Sequence, residues 1–283
     1  MTDGMGQCPR CGEGMERDAR YCGRCGFDVM AGAQAPPPGT DGSRRVAELI
    51  AQRGATDTLL SPWWIVLPII AVVVAFGLSL VLLFYMAFVE AAVAAVAGGL
   101  IAFVLTAVLN YLLIDRMNKH IAREAAVRRA MIEHTWARAR ARGTSNAVYP
   151  YLAALEGIDQ QARNEDRPRS LLWALAPIVP IIGVVLYFYM LYFLSKFAFD
   201  HNNRWHAFAY NVHLASVVNG DNVPPPQPRY PSESSFVLYL LLTIIFSPFL
   251  IFWYFKLIDD PNKHFREMWS FEDGFRAATG RLP

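Results

Sequence analysis

Long stretches of this 283-residue chain lack charge altogether. Between Thr58 and Ile114 the single charged side chain is Glu90, and Ser170 to Ser195 and Ser234 to Phe255 carry none. A solvated helix needs a polar face, so these runs are excluded as surface helices of a water-soluble globule. Cysteine is missing after residue 25, which excludes a disulfide framework for the body of the chain. A phosphate-cradling glycine loop, GxSxG, HExxH and facing carboxylates within the apolar runs are also missing. The nucleotide-binding, serine-hydrolase and zinc-protease readings therefore have no support.

What is present is apolar and blocked. Hydrophobic residues make up 54% and charged residues 18% of the chain. At a rise of about 1.5 Å per residue, the uncharged runs match a hydrocarbon core of about 30 Å. The reading is an all-α membrane protein with four spans, roughly 62–86, 91–114, 171–195 and 236–257. Lys119 and ten arginines fall between Asp115 and Arg169, whereas 196–235 holds only Lys196, Arg204 and Arg229 against three acids. Positive charge is retained in the cytoplasm, so both termini and 115–169 are expected inside the cell membrane and the arm 196–235 outside. A polar, cysteine-containing N-terminus speaks against a cleaved signal peptide.

Two octapeptides organise the expected repeat. Leu113-Ile114-Asp115-Arg116-Met117-Asn118-Lys119-His120 and Leu257-Ile258-Asp259-Asp260-Pro261-Asn262-Lys263-His264 both read LIDxxNKH. Each closes an apolar unit that opens with Trp-x-x-x-Pro, Trp64/Pro68 and Trp173/Pro177. Two copies of one transmembrane hairpin, 61–114 and 170–258, is the natural reading. The eight polar residues Asp115, Asn118, Lys119, His120, Asp259, Asn262, Lys263 and His264 could then form one composite site for a lipid headgroup, an ion or a partner. They could equally anchor each span separately, with Asp and Lys paired at i, i+4.

The pairs Cys8/Cys11 and Cys22/Cys25, each followed by glycine, have the spacing of a structural four-thiolate zinc site over residues 1–30. Zinc binding would supply the folding free energy of so small a module. A proline-, glycine- and alanine-rich linker follows at 31–42. Within 43–60, Val46, Leu49 and Ile50 share one face of a short amphipathic helix expected on the membrane surface. Ala91, Ala95 and Gly99, beside Ala94 and Gly98, are small-residue ladders suited to close helix packing. Glu90 is expected at the solvated turn. The helix after Ile114 should run to Gly143; basic and amphipathic, it could bind anionic lipid or RNA, or simply enforce topology. Ser145–Glu165 reads as a helix packing back on it. In the arm, a helix is expected to end at Asn219 and Gly220, with His206 and His213 on one face, where they could ligate a metal or simply be polar surface. Residues 259–283 read as an interfacial helix capped by Asp260 before Pro261, with tail.

The cysteine pairs, flanked by Tyr21 and Phe27, resemble the zinc ribbons that precede membrane spans in many prokaryotic proteins. The segment Thr243…Trp253-Tyr254-x-x-Leu257-x-Asp259-x-x-Asn262-x-His264 is similar to the last part of a prokaryotic multi-pass membrane family of unassigned function, often joined to such a ribbon. That resemblance implies a zinc-bearing membrane protein and no particular chemistry. Three functions remain in view. One is a non-catalytic scaffold or accessory subunit, docking protein partners or a second copy through ribbon and basic helices. The second is an oligomeric transporter or channel, with Ser79, Thr106, Asn110 and Thr243 as its polar candidates. The third is a lipid-modifying enzyme using Asp115, His120, Asp259 and His264.

Overall fold

The computed structural model describes residues 6–7, 14–15, 42–178, 182–227 and 235–280, in two units divided at Asp41. The first unit contains β1 (Gly6–Gln7) and β2 (Gly14–Met15), antiparallel, with Gly6 opposite Met15. Its expected zinc ligands Cys8, Cys11, Cys22 and Cys25 lie outside the described residues, as does the linker as far as Asp41.

Among its described residues the second unit contains helices and their connections and no strand. Its elements are α1 (Gly42–Ala51), α2 (Arg53–Thr56), α3 (Trp63–Phe84), α4 (Phe88–Ala141) and α5 (Ser145–Glu165). A 3-10 helix (Leu171–Ile178), α6 (Gly183–Asn219), α7 (Phe236–Ile245) and α8 (Phe249–Thr279) follow. Among the described residues, α3, α4 and α6 are long and apolar enough to cross a membrane, while α7 is apolar but short. Their aliphatic and aromatic side chains face outward, from Trp63 at 73% exposure to Phe84 at 84%. A chain that leaves so much apolar surface uncovered is membrane-embedded.

Among the described residues of this unit there are three hairpins, not two. In the first, Ser79 Oγ on α3 donates to the Ala91 carbonyl on α4 at 3.1 Å. A methyl on Gly98 would fall 1.9 Å from the Ala75 Cβ, so glycine there sets the approach of the two helices. Of the expected ladders, Ala91 and Gly98 are buried and Ala95 and Gly99 exposed, which puts the contact on a seven-residue repeat. Glu90 is exposed at the α4 start, where an acid complements the helix dipole.

The expected spans 171–195 and 236–257 are each broken into a hairpin. The 3-10 helix and α6 run antiparallel, with Trp173 5.3 Å from Tyr189 and 5.7 Å from Phe193 between ring centroids. Gly183 is seated so tightly under the Pro177 carbonyl that a Cβ would approach its oxygen to 2.9 Å. α7 and α8 also fold back on each other, Tyr239 meeting Phe249, Phe252 and Trp253. Proline explains that break: Pro248 disfavours helix at Ser247, and its fixed φ begins α8 instead.

The long outgoing helices α4, α6 and α8 run parallel, and all three carry on past their apolar portions into one helical body. Val127, Met131, Leu152, Leu155, Trp205, Phe208, Val212, Met268, Phe271 and Phe275 share its core. This overturns the placement of 196–235 across the membrane from 115–169. Arg138 and Arg142 both reach Asp221, Asn219 bonds Thr144, and Arg204 pairs with Glu165, so the described part of 196–235 and the 115–169 helices stand on the same side. The helix did end at Asn219, with Gly220 left-handed at φ +75°, but its apolar face at Trp205, Phe208 and Val212 needed a partner and found it in α4, α5 and α8. For the same reason α1 does not lie on a membrane surface; Val46 and Ile50 are buried in that core. Nor does a separate helix begin at Asp260, because α8 passes through Pro261 without interruption. The helices expected at 115–142 and at Ser145–Glu165 are present as expected, with Gly143 left-handed between them.

Two outcomes follow. Gly98→Leu should lower the thermal midpoint of the detergent-solubilised protein by the equivalent of about 1–3 kcal/mol of overpacking, while Gly99→Leu, facing open space, should leave it unchanged. Reporter fusions placed after Gly143 and after Gly220 should report the same side of the membrane; opposite sides would refute the shared core.

Candidate functional site

Where the three long helices leave their apolar portions, their polar side chains are stacked in layers. The innermost is a hydrogen-bonded chain in which Tyr187 of α6 donates to Tyr254 of α8 at 2.9 Å and Tyr254 donates to Asn110 of α4 at 2.7 Å. Arg116 forms the next. Pro261 has no N–H, so the Leu257 carbonyl four residues earlier loses its intrahelical donor. The buried Arg116 guanidinium donates to that carbonyl and, at 3.1 Å, to Asn262 Oδ1. A proline inside α8 is thus tolerated because α4 supplies the missing donor.

The two repeated asparagines perform one task. Asn262 Nδ2 donates to the Leu60 carbonyl at 2.8 Å while its Oδ1 accepts from the Leu60 N–H at 3.1 Å. Asn118 does the same to Arg169, at 2.8 Å both ways. Each therefore clamps the backbone just before an apolar hairpin begins. Asp115–Lys119 and Asp259–Lys263 are i, i+4 pairs of 2.7 Å on the outside of their helices. Each aspartate is thus paired with the lysine of its own helix.

His120 and His264 do come together, and a third histidine joins them. The rings of His120, His201 and His264, one from each long helix, have centroids 5.0, 5.3 and 5.1 Å apart, with planes at 75°, 83° and 79°. All three are buried. Their outer nitrogens are each held: His120 Nδ1 by Asp57 at 3.0 Å, His201 Nδ1 by Asp166 at 3.0 Å and His264 Nδ1 by Asn202 at 2.8 Å. Glu124 places Oε2 2.8 Å from His201 Nε2 and 3.8 Å from His120 Nε2.

Ion pairs surround this cluster. Arg123 links Asp57 to Glu272, and Arg128 links Glu124 to Asp159. Burial alone would raise the Glu124 carboxyl, but Arg128 and His201 hold it well below the usual carboxylate range. Burial likewise opposes charge on His201, yet Glu124 and Asp166 outweigh it and push the imidazolium up to about 9. His264 has no acid of its own; burial, with His201 and His120 nearby, drives it well below an ordinary histidine. Three imidazoles with ligand atoms within 4.8 Å of one another, and a carboxylate beside two of them, could hold a cation or share protons.

The arginines expected to make 115–142 a basic binding face are largely consumed internally: Arg123 and Arg128 are buried in ion pairs, Arg129 meets Glu133, and Arg138 and Arg142 meet Asp221. His206 and His213 are not brought together as ligands; His206 pairs with Glu267 and His213 with the Val223 carbonyl.

The sequence reading missed His201, Glu124, Asp57, Asp166 and Asn202 as site residues, although signals for some were present. Lys196 and Asp200 stand five and one residues before His201, the spacing of Asp115/Lys119 before His120 and Asp259/Lys263 before His264 with the signs exchanged. Asp57-x-x-x-Ser61-x-x-Trp64 recurs as Asp166-x-x-x-Ser170-x-x-Trp173.

The fold and site together define a membrane-embedded helical protein with a buried polar centre at the root of its hairpins. Comparison with known protein families, curated proteins and solved structures finds no match.

A double-mutant cycle tests the pairing of Arg116 with Pro261. Arg116→Met should cost about 1–3 kcal/mol by leaving the Leu257 carbonyl buried and unpaired. In a Pro261→Ala background, where an N–H returns, the same change should cost at least about 1 kcal/mol less; equal costs in denaturant unfolding would disprove the link.

Proposed function

We propose that this chain is a non-catalytic membrane scaffold or accessory subunit. In this reading α3 and α4 cross the bilayer, the two later hairpins re-enter from the helical body, and that body faces the cytoplasm with both termini. α7, at ten residues, is about 15 Å long, half the hydrocarbon thickness. The zinc ribbon at Cys8, Cys11, Cys22 and Cys25 is the natural docking module, tethered to a rigid base.

One observation carries the reading: the polar groups that transport would require are already engaged. Ser79 bonds Ala75 and Ala91, Thr106 bonds Ala102, Thr243 bonds Tyr239, and Asn110 accepts from Tyr254. Ser79, Thr106 and Thr243 are thus engaged locally and Asn110 through its oxygen, its buried Nδ2 alone having no partner; packing of that kind favours a support over a conduit, since pores place free polar groups at mid-membrane. A lipid-modifying enzyme is weakened because Asp115 and Asp259 are paired to their own lysines on the outside. Retained Lys and Arg in 115–169 support the cytoplasmic assignment.

Chemical cross-linking in native membranes, followed by purification of the full chain, tests the proposal. A stoichiometric protein partner should be recovered, and its yield should fall at least tenfold when residues 1–30 are deleted. A monomer indifferent to that deletion, or one that releases trapped solute from liposomes, would overturn it.

A further inference from the structure

The three histidines that the long helices bring together have an arrangement that hydrogen bonding within the protein does not complete. The geometry points to a binding site for one divalent transition-metal ion, ligated by His120, His201 and His264, with the Glu124 carboxylate beside His201 and His120 to balance its charge.

The outer nitrogens argue first. Asp57 and Asp166 are ionised carboxylates and can only accept, and Asn202 presents its oxygen, so each Nδ1 carries the proton. The lone pairs of neutral imidazoles then lie on Nε2, pointing inward. A carboxylate or amide behind each ligating histidine is the usual support of a metal site, fixing tautomer and ring direction.

The inner nitrogens argue second. One ligand atom from each of the three histidines lies within 4.8 Å of the others. His120 Nε2 and His201 Nε2 are 3.0 Å apart, close to the ~3.3 Å that two nitrogens adopt on tetrahedral zinc with bonds of about 2.0–2.1 Å. A shared proton could join those two, with Glu124 beside them. It leaves out His264, whose Nε2 is buried, directed at the same cluster and without a hydrogen-bond partner. An unpartnered buried nitrogen is costly, and a cation at the common point satisfies it together with the other two.

The donor set selects the ion. Imidazole nitrogen with one carboxylate suits zinc, iron, cobalt, nickel or copper and does not suit magnesium or calcium, which prefer oxygen. Glu124 offsets part of the added charge directly, and Asp57 and Asp166 do so through the rings. Binding displaces to solvent the proton that His201 otherwise holds. With His120, His201, His264 and Glu124 all buried, the site is of the closed, structural kind. It would bolt α4, α6 and α8 together at the membrane root and link metal occupancy to folding. The site does not depend on the scaffold reading.

Cobalt(II) titration of the full chain in detergent, after chelator treatment, tests it. Expected is one cobalt per chain with visible d–d absorption but no sulfur-to-cobalt charge transfer, distinct from any thiolate-bound ion at the N-terminal cysteines. Zinc should displace that ion and raise the thermal midpoint by several degrees. His264→Gln should lose both the band and the shift while keeping any thiolate-bound signal. A folded wild-type protein without the nitrogen-ligated band, or a band that survives unchanged in His264→Gln, would overturn the assignment. Should that variant fail to fold, the wild-type spectrum and its zinc-dependent shift still decide.

Discussion

Polar groups carried into a water-free interior must find partners there, and this requirement sets the arrangement of the second unit. Arg123 and Arg128, both on α4, take their acids from elsewhere as well as from α4 itself: Asp57 precedes α3, Glu272 is on α8 and Asp159 on α5. Arg116 spends its donors on α8 main chain. Apolar faces alone would let the helices slide or exchange neighbours. Buried charges that match in only one arrangement do not, since breaking a buried pair costs about 3–5 kcal/mol.

The same constraint explains the threefold character of the molecule. Each hairpin sends in one helix and returns a longer one, and each returning helix contributes a histidine to the centre. Clamping asparagines act between hairpins: Asn262 of the third holds the start of the first, and Asn118 of the first holds the start of the second. The two clamps thus chain the third hairpin to the first and the first to the second. The copies are unequal where chemistry allows: His120 and His201 are backed by aspartates, and His264 by the amide of Asn202.

A rigid root beneath exposed apolar hairpins has functional consequences. Trp205, Phe265 and Phe197 pack around the histidine rings, and in the apolar portions Ser79, Thr106 and Thr243 bond carbonyls four residues earlier. Such a body holds its helices in fixed relation, which is what the proposed scaffold role would use.

Apolar, charge-free runs determined by themselves that the chain enters a membrane, because such segments have no stable place in water. Glycine after the last periodic residue marked the ends of α4 and α6, because only glycine adopts the left-handed cap cheaply. The spacing of LIDxxNKH revealed that the ends of two apolar runs, inside α4 and α8, were equivalent. Only the tertiary structure decided that there were three such ends, that 196–223 folds back beside 115–165, and that His120, His201 and His264 meet. Residues 81 and 63 positions apart in sequence touch through the convergence of helices, and no local spacing encodes that. The Ser247-Pro248 break was visible in the sequence, but whether it kinked a span or reversed it depended on what the returning helix could pack against.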